Sequence, residues 1–447
     1  MERSSVAHCA AAPETILRVA QMSDLHYCAT NIVESDRCFT AAVTGAIDRQ
    51  VHCAVITGDS TDHAMDAHSP ALVALAKQIQ RLANHCPVLM LQGTFSHEPP
   101  GLLRLLSMIK ARYPVAVAER IGSYGLTSVG FELIEPGTDY SLVVSALPTL
   151  NKADIAAMAS DEVGSAAVEA GRIIADVLAS VAPMNRALRA RQIPTMVISH
   201  GTVLNCISEH GVPMAGTDHE FGAGALFSAQ ADVVALGHIH KHQSWESDLN
   251  DTQQLIAYPG SIGRFHHGEL DEKVWVEWLL VAGKPSFIAH PTPARKTVDL
   301  FFDGPPDMEK LRSIASDCQG AWVRLRYEVD EEHRQGIDRA AIKSLLSGAA
   351  GVQIEGKTLI VERARAHGIS TSPTLAQKLG KWCDVTCTSQ AEVTERLVAL
   401  QNDDVDSIVR RFMEELQAKV GEASQKPLVE AKPLPQRLEP QPAFDFL

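Results

Sequence analysis

Three histidines alternate in the stretch ALGHIHKHQ, residues 235–243, directly after an apolar run. They are His238, His240 and His242. Alternate residues of an extended segment point to the same side, so His238 and His240 can project together. Neutral imidazole is the commonest metal ligand among side chains. The stretch therefore predicts metal ligands at the point where a buried strand ends.

Four earlier apolar runs end in groups of the same kind. They are followed by Asp24 and His26 in SDLH, Asp59 in GDSTD, Ser96 and His97 in GTFSHE, and His200 in SHGT. Each piece alone is compatible with a turn, a helix cap or a buried histidine. Ligands of open α/β sheets bind outside the carboxyl ends of the strands, so we expect all five pieces to converge. Carboxylates and imidazoles without a thiolate favour Mn²⁺, Fe²⁺ or Zn²⁺ over Ca²⁺. Together they predict a dinuclear metal site of the kind used for displacement at phosphorus.

The elements that would position these groups are short buried strands separated by helices. Apolar runs at residues 16–23, 53–59, 87–93, 195–201 and 232–238 predict the strands, and Arg37–Arg49 and Pro70–Ala83 predict helices between them. Strands alternating with helices indicate an α/β fold in which both faces of the sheet are covered.

Three further regions follow the first domain, which we assign to residues 1–288. Residues 289–365 have a β-α-β-α-β pattern, including VQIEGKTLIVER as two strands joined at a glycine turn, and predict a small α+β domain. Residues 366–424 contain amphipathic helices, and Ile408, Phe412 and Leu416 form an apolar stripe on one of them. Residues 425–447 are rich in proline and predict a disordered tail.

Composition restricts the function and the cell compartment. The net charge of −14 argues against binding nucleic acid through bulk charge alone, although bound ions or a basic partner could supply positive charge. Nine scattered cysteines indicate reduced thiols and a cytoplasmic protein. We expect neither a signal peptide nor a membrane span, because no apolar run has the required length.

The motifs Asp24-x-His26, Gly58-Asp59, His97-Glu98, His200-Gly201 and Gly237-His238-x-His240 resemble those of the calcineurin-like metallophosphoesterases. Within that superfamily, GHIHKHQ followed by AYPGSIGR is similar to the SbcD-type nuclease subunits of double-strand-break repair complexes. The resemblance covers roughly residues 16–365. It implies a sandwich of two packed β-sheets flanked by helices, with the α+β unit as a capping domain and helices after it.

The resemblance also implies roles for the candidate ligands. Asp24, His26 and His240 would hold one divalent ion, His200 and His238 a second, and Asp59 would bridge the two. Mn²⁺ is the first expectation, with Mg²⁺, Fe²⁺ and Zn²⁺ as alternatives. His97 would lie near the scissile phosphate and protonate or stabilise the leaving oxygen.

One segment departs from the family pattern. Relatives have Gly-Asn-His-Asp or Gly-Asn-His-Glu, and the amide oxygen of the asparagine binds the second metal. Here GTFSHE contains two extra residues, and Ser96 stands directly before His97. We therefore assign Ser96 as the substitute ligand, with Thr94 as the alternative, or else the second site is weaker.

The resemblance implies a metal-dependent DNA nuclease that acts with an SbcC-like ABC-type ATPase and forms homodimers. Arg264 and His266 would approach DNA phosphate, and His242 is assigned to the substrate side of the site. Ile408, Phe412 and Leu416 would bind the ATPase. Two alternatives are a phosphodiesterase of small molecules, such as cyclic nucleotides or nucleotide sugars, and a DNA-end-binding scaffold with weakened catalysis.

Overall fold

The computed structural model describes residues 16–66, 68–150, 166–214, 220–249, 252–331, 333–359 and 368–423. The chain forms two compact units, which divide between residues 359 and 360.

Strands and helices are numbered along the chain. The strands are β1 (Leu17–Met22), β2 (Cys53–Ile56), β3 (Val88–Leu91), β4 (Val115–Ala118), β5 (Gly122–Leu126), β6 (Phe131–Leu133), β7 (Leu142–Leu147), β8 (Thr195–His200), β9 (Thr202–Val203), β10 (Glu220–Phe221), β11 (Val233–Gly237), β12 (Gln243–Leu249), β13 (Thr252–Tyr258), β14 (Val274–Leu280), β15 (Ser286–Pro291), β16 (Thr297–Asp303), β17 (Trp322–Asp330) and β18 (Gly351–Leu359). The helices are α1 (Ile32–Asp48), α2 (Pro70–Ala83), α3 (Leu102–Ser107), α4 (Ala166–Ala190), α5 (Ala223–Ser228), α6 (Met308–Ile314), α7 (Arg339–Leu345), α8 (Leu375–Thr386), α9 (Gln390–Asn402) and α10 (Val405–Ala423).

Two mixed sheets form the centre of the first unit. One has the strand order β15-β14-β1-β2-β3-β4 and the other β12-β13-β11-β8-β7-β5-β6. Apolar side chains of both sheets, such as Val55 and Ile198, share one buried core. A buried hydrogen bond also crosses between them, because the Gln21 side chain of β1 donates to the Leu236 carbonyl of β11. The two sheets are therefore layers of one sandwich.

Helices cover the outer faces of the sandwich. The apolar face of α1 and α2 packs on β1, β2 and β3, and the apolar face of α4 and α5 packs on β8, β11 and β13. Strands buried on both faces have near-continuous apolar sequences, which is why LRVAQM and VVALG lack alternation. The predicted α/β sandwich of two sheets flanked by helices is confirmed.

A three-stranded parallel sheet, β16-β17-β18, follows the sandwich in the same unit. Helices α6 and α7 lie between its strands in the chain and share its core. The predicted glycine turn in VQIEGKTLIVER is wrong, because β18 continues through Gly356. The ring of Tyr327 lies where a Cβ of Gly356 would be, so the glycine provides room for a neighbouring side chain instead of a turn.

The second unit contains α8, α9 and α10, of which α8 and α9 contact each other. Helices at AEVTERLVAL and DSIVRRFMEELQAKVGEA are confirmed as α9 and α10. The predicted tail at residues 425–447 lies outside the described residues. None of the described helices combines the length and apolarity needed to cross a membrane.

Candidate metal centre

The candidate ligands lie in loops that follow strands of both sheets. Asp24 and His26 follow β1, Asp59 follows β2, His200 ends β8, and His238 and His240 follow β11. Strands β1, β2 and β3 are mutually parallel, and so are β8 and β11. Residues that follow strands of the two sheets lie within 4.8 Å of one another, so the carboxyl ends of both sets meet at one end of the sandwich. The convergence expected from the sequence is observed.

Four of these residues have backbones in the left-handed region, where L-residues are strained. The φ angles are 51° at Asp24, 44° at His26, 51° at Asp59 and 101° at His238. Such conformations cost of the order of 1–3 kcal/mol each and concentrate at functional sites. Cross-loop hydrogen bonds hold them, including His26 N to Asp59 O at 3.1 Å and His238 N to the Asp24 carboxylate at 3.1 Å.

Glycines before two ligands allow the loops to approach each other. A Cβ on Gly58 would lie 2.3 Å from His200 Nδ1, and a Cβ on Gly237 would lie 2.0 Å from the Thr57 carbonyl oxygen. No larger residue fits at either position without moving the loops apart. This contact explains why the sequence has Gly-Asp and Gly-His at these strand ends.

The first ligand group contains Asp24, His26 and His240, whose candidate ligand atoms lie within 4.8 Å of one another. His26 Nε2 and His240 Nε2 are 2.9 Å apart. His240 Nδ1 lies 3.3 Å from the buried carboxylate of Glu269. Donation of Nδ1–H to Glu269 leaves the Nε2 lone pair of His240 directed into the group, as a metal ligand requires.

The second ligand group contains Asp59, His200 and His238, again within 4.8 Å. His200 Nδ1 donates to the Thr57 carbonyl at 2.8 Å, and its Nε2 lies 3.2 Å from Asp59 Oδ2. Because Nε2 faces a carboxylate oxygen, either a proton or a metal cation lies between these two atoms. The two groups thus offer converging imidazole and carboxylate donors that fit two divalent cations.

Burial lowers the pKa of His200, but Asp59 outweighs it and raises that pKa to about 10, so without a metal the two side chains form an ion pair. A divalent cation bound between them would displace the His200 proton. Burial opposes ionisation of Asp59, but His200 outweighs it and holds the pKa of the carboxyl well below its usual range. Burial, with a contribution from His200, lowers the pKa of His238 to about 4, so this imidazole is neutral at pH 7. A ligand histidine must be neutral to bind metal.

The structure places Thr94, the alternative to Ser96, beside the second ligand group and leaves Ser96 exposed to solvent. Thr94 Oγ1 is 3.3 Å from both Asp59 Oδ2 and His200 Nε2, and its backbone N–H donates to Asp59 Oδ1 at 2.7 Å. Ser96 is exposed in the turn that joins Thr94 to His97. The carbonyl of Thr94 accepts from the amides of His97 and Glu98, so the two extra residues, Phe95 and Ser96, form a bulge.

His97 lies at the edge of the same centre. Its ring centroid is 5.0 Å from that of His26, and its Nδ1 is 2.6 Å from the backbone carbonyl of Asp62. The Asp62 carboxylate is 3.4 Å from His26 Nδ1. Asp62 therefore orients His97 through its backbone carbonyl and places a carboxylate beside His26.

Two buried carboxylates that support the loops were not identified as site residues from the sequence. Glu98 accepts from the amides of Ser60 and Gly93, and burial raises its pKa to about 7. Glu269 contacts His240 and pairs with buried Lys273 at 2.6 Å. Glu98 follows directly after a motif histidine, which was a usable signal, whereas nothing in the sequence near Glu269 indicates its contact with His240.

The residues assigned to the substrate side separate into two sets. His266 lines the cleft above the ligands, and its ring is stacked against that of His240. Arg264 lies outside the cleft lining, and its guanidinium donates to the backbone carbonyls of Leu270, Asp271 and Arg295. His242 lies outside the cleft lining, and its Nδ1 is bonded to the Tyr258 carbonyl.

A cleft of about 470 Å³ opens onto both ligand groups. Its lining consists of His26, Thr30, Asn31, Asp59, Asp62, His97, His238, His240, Phe265, His266, Arg295 and Trp322. Trp322 is the first residue of β17, so the small parallel sheet contributes to this cleft.

No protein-family model and no curated protein matches the sequence of this chain. Among solved structures, the chain is similar to a dimetal phosphatase from Danio rerio, with 12% identity and a TM-score of 0.39 over 61% of this chain and 98% of that chain. It is also similar to GAP50, the anchor in the inner membrane complex of Plasmodium, with 12% identity and a TM-score of 0.35 over 63% of this chain and 90% of that chain. Similarity at this level does not identify the family of the chain.

Proposed function

We propose that this chain is a metal-dependent phosphoesterase that hydrolyses phosphodiester bonds in DNA. The observation that carries the proposal is the pair of ligand groups, Asp24/His26/His240 and Asp59/His200/His238, beneath one cleft. Each group combines one carboxylate with two imidazoles. Mn²⁺ is the first candidate for both positions, with Mg²⁺, Fe²⁺ and Zn²⁺ as alternatives.

Divalent cations at such a centre supply positive charge to phosphate oxygens and lower the pKa of water. Side chains of this protein would have three roles around the bound cations. Asp59 contacts His200 and Thr94, and so places a carboxylate at the edge of the second ligand group. His97 has its Nδ1–H directed to the Asp62 carbonyl, so only Nε2 is available to give a proton to a leaving oxygen. His266 and Phe265 narrow the cleft above the first ligand group.

Three features support DNA as the substrate and an SbcC-like ATPase as the partner. GHIHKHQ and AYPGSIGR resemble the nuclease pattern. The small parallel sheet borders the cleft through Trp322, where it would limit which duplex geometries enter. Helix α10 has exposed Phe412 and Leu416 side chains, which could bind two helices of the ATPase partner. We place this activity in DNA end processing by a cytoplasmic homodimer.

The decisive experiment is hydrolysis of end-labelled duplex and single-stranded DNA with Mn²⁺. EDTA treatment, Asp59→Ala and His97→Ala serve as controls, and Ser96→Ala is the matched variant outside the ligand groups. Bis-p-nitrophenyl phosphate and a cyclic nucleotide are assayed in parallel. Cleavage of DNA that is lost in the first three controls and kept in Ser96→Ala is the expected result.

Two other outcomes would replace the proposal. Hydrolysis of the small esters with DNA untouched would identify a small-molecule phosphodiesterase. DNA binding without hydrolysis of any substrate, even with an SbcC-like ATPase present, would identify a scaffold whose centre is weakened at Thr94.

A further inference from the structure

Arg295 is a cation of the cleft that the candidate mechanism does not use. It lies four residues after the end of β15 and two residues before β16. Its backbone N–H donates to buried Glu34 at 2.8 Å, and its Nε donates to the Arg264 carbonyl at 2.8 Å. Arg264 in turn donates to the Arg295 carbonyl at 2.8 Å. The backbone and the base of the guanidinium are therefore held in place by neighbouring segments.

The guanidinium of Arg295 packs against the indole ring of Trp322. Arg295 Cζ lies 3.5 Å from the centroid of the Trp322 ring, and the His267 ring centroid also lies 3.5 Å from that of Trp322. Two groups so close to one ring occupy opposite faces, so the indole is sandwiched between them. Its faces are covered, which leaves the arginine, rather than the indole, available to a ligand. A guanidinium over an indole face is a favourable cation–π arrangement.

One terminal nitrogen of the Arg295 guanidinium makes no hydrogen bond with the described residues. This atom, Nη2, is buried. Buried polar groups in native structures are almost always bonded, so an unpartnered donor in a substrate cleft indicates a ligand atom. Arg264, its neighbour in space, has all three guanidinium nitrogens bonded to backbone carbonyls.

We propose that Arg295, positioned by Trp322 and Glu34, binds a second phosphate group of the substrate, adjacent to the one that is hydrolysed. The inference rests on the proposed function, because it takes the scissile phosphate to lie at the ligand groups. A planar guanidinium offers paired donors that match phosphate oxygens. The substrate class is then a molecule with two neighbouring phosphates. Two sources share this chemistry, the backbone of a polynucleotide and the pyrophosphate of a nucleotide sugar.

The charge distribution of the cleft favours binding of one phosphate at the ligand groups and of the other at Arg295. Two carboxylates line the described cleft, Asp59 and Asp62, and both lie at or beside the ligand groups. Among the residues that line this cleft, Arg295 is the one with a permanently cationic side chain. Cations bound at the ligand groups would neutralise the first phosphate. The second phosphate needs a separate positive charge, and Arg295 supplies it on the side of Trp322.

The first test is binding without metal. A short fluorescein-labelled oligothymidylate is titrated in EDTA against the full chain, Arg295→Met, Arg295→Lys and the matched control Arg112→Met. Arg112 also lies over an aromatic ring, that of Tyr113, but is outside the cleft lining. Arg295→Met should raise Kd about 10- to 100-fold, as expected for loss of a charged hydrogen bond. The slope of log Kd against log salt should fall by about 0.7, the value for one phosphate contact on a single strand.

The second test separates the two phosphate sources. Unlabelled UDP-glucose and oligothymidylate compete for the site in EDTA, and hydrolysis of both is compared with that of bis-p-nitrophenyl phosphate, which has one phosphate. Arg295→Met should lower kcat/KM about 10- to 100-fold for the two-phosphate substrate and less than about twofold for the single-phosphate ester. A loss confined to oligothymidylate identifies a polynucleotide, and one confined to UDP-glucose identifies a pyrophosphate.

The results that overturn the inference differ from those that overturn the proposed function. Equal losses on all three substrates would make Arg295 a structural residue, and unchanged binding of both two-phosphate ligands would remove it from the site. Absence of hydrolysis by the unsubstituted chain would contradict the proposed function only, since binding in EDTA still tests Arg295. Should Arg295→Met unfold, Arg295→Lys keeps the charge and loses the planar fork, and we expect an intermediate rise in Kd for it.

Discussion

Thr94 Oγ1 lies 3.3 Å from Asp59 Oδ2 and from His200 Nε2, between a candidate bridging carboxylate and a candidate imidazole ligand. A hydroxyl is a weaker metal ligand than the amide of asparagine, and it reaches less far. We therefore expect Thr94 to contribute modestly to cation binding at the second ligand group.

Thr94→Ala should weaken binding of one of two Mn²⁺ ions by about tenfold, the lower end of what loss of a supporting group costs. Isothermal titration calorimetry with Mn²⁺ measures both sites. Ser96→Ala is the control and should change neither affinity, because Ser96 is exposed in the bulge. A loss in Ser96→Ala that equals the loss in Thr94→Ala would restore Ser96 as the ligand.

Glu269→Gln should weaken Mn²⁺ binding at the first ligand group by about 10- to 100-fold, because Glu269 orients His240. The same change leaves Lys273 buried without its ion pair, which also lowers stability. The double variant Glu269→Gln/Lys273→Met should recover thermal stability and leave Mn²⁺ affinity low. Exposed Glu272 offers the matched control Glu272→Gln, and recovery of affinity in the double variant would show that Glu269 acts through stability alone.

At the scale of the elements, β16 and β17 of the small parallel sheet are linked by a clamp of one carboxylate and two arginines. Asp299 of β16 accepts hydrogen bonds from both Arg324 and Arg326 of β17. Burial opposes ionisation of Asp299, but the two arginines outweigh it and hold the pKa of the carboxyl below its usual range. The clamp links the strand that follows Arg295 to the strand that begins with Trp322.

Asp299→Asn should lower the free energy of unfolding at pH 7 by about 1–3 kcal/mol, the contribution of hydrogen bonds to charged groups. Because the folded pKa of Asp299 is the lower one, its contribution is complete above about pH 4 and is lost as the pH falls towards the folded pKa. Urea unfolding at pH 7 and in acid measures this, with Asp303→Asn at the exposed end of β16 as the control. A difference that persists unchanged in acid would contradict the ionic origin of the effect.

Helix α10 presents apolar side chains to solvent. Phe412 is 61% exposed and Leu416 is 47% exposed, whereas Ile408 on the same stripe is half-buried. Binding of an SbcC-like ATPase by this stripe remains a prediction. Its basis is that exposed large apolar side chains on one helix face are typical of an interaction surface.

Phe412→Asp should abolish co-purification with an SbcC-like ATPase and leave the circular dichroism spectrum of the chain unchanged, because the side chain is exposed. Arg410→Ala on a different face of α10 is the control. Loss of helix signal in Phe412→Asp would show instead that the stripe packs within the chain.

Over the whole molecule, the candidate metal centre joins the two sheets. Asp24 and Asp59 come from the sheet that contains β1 and β2, and His200 and His238 come from the sheet that contains β8 and β11. Cations held by both sheets would therefore stabilise the sandwich and the four left-handed ligand residues together.

Mn²⁺ should raise the Tm of the chain, because a ligand that binds only the folded state stabilises it by about 2.7 kcal/mol at a hundred times its Kd. Differential scanning calorimetry with and without EDTA measures the shift. Asp59→Asn should remove most of it, while Asp303→Asn should retain all of it. A shift of equal size in Asp59→Asn would place the stabilising cation elsewhere.

The amino-acid sequence by itself determined the five strands that precede the ligand motifs, the order of those motifs and their convergence at one end. Apolar runs report burial, and a parallel strand delivers the residue that follows it to a known edge, so Asp24, Asp59, His200 and His238 could be identified without coordinates. The same pattern shows the β-α-β-α-β order of the small domain, because strands and helices have different apolar periods.

Only the tertiary structure decided which side chains at the centre face one another. Whether Thr94 or Ser96 lies beside Asp59 depends on which residues of GTFSHE form the bulge, and spacing along the chain does not determine that. Arg264 and Arg295 have the same side chain, but backbone carbonyls of Leu270, Asp271 and Arg295 accept from the Arg264 guanidinium. Arg295 lines the cleft, and its Nη2 has no partner among the described residues. Glu269 and Trp322 contribute through contacts between segments that are remote in sequence, and such contacts leave no local pattern.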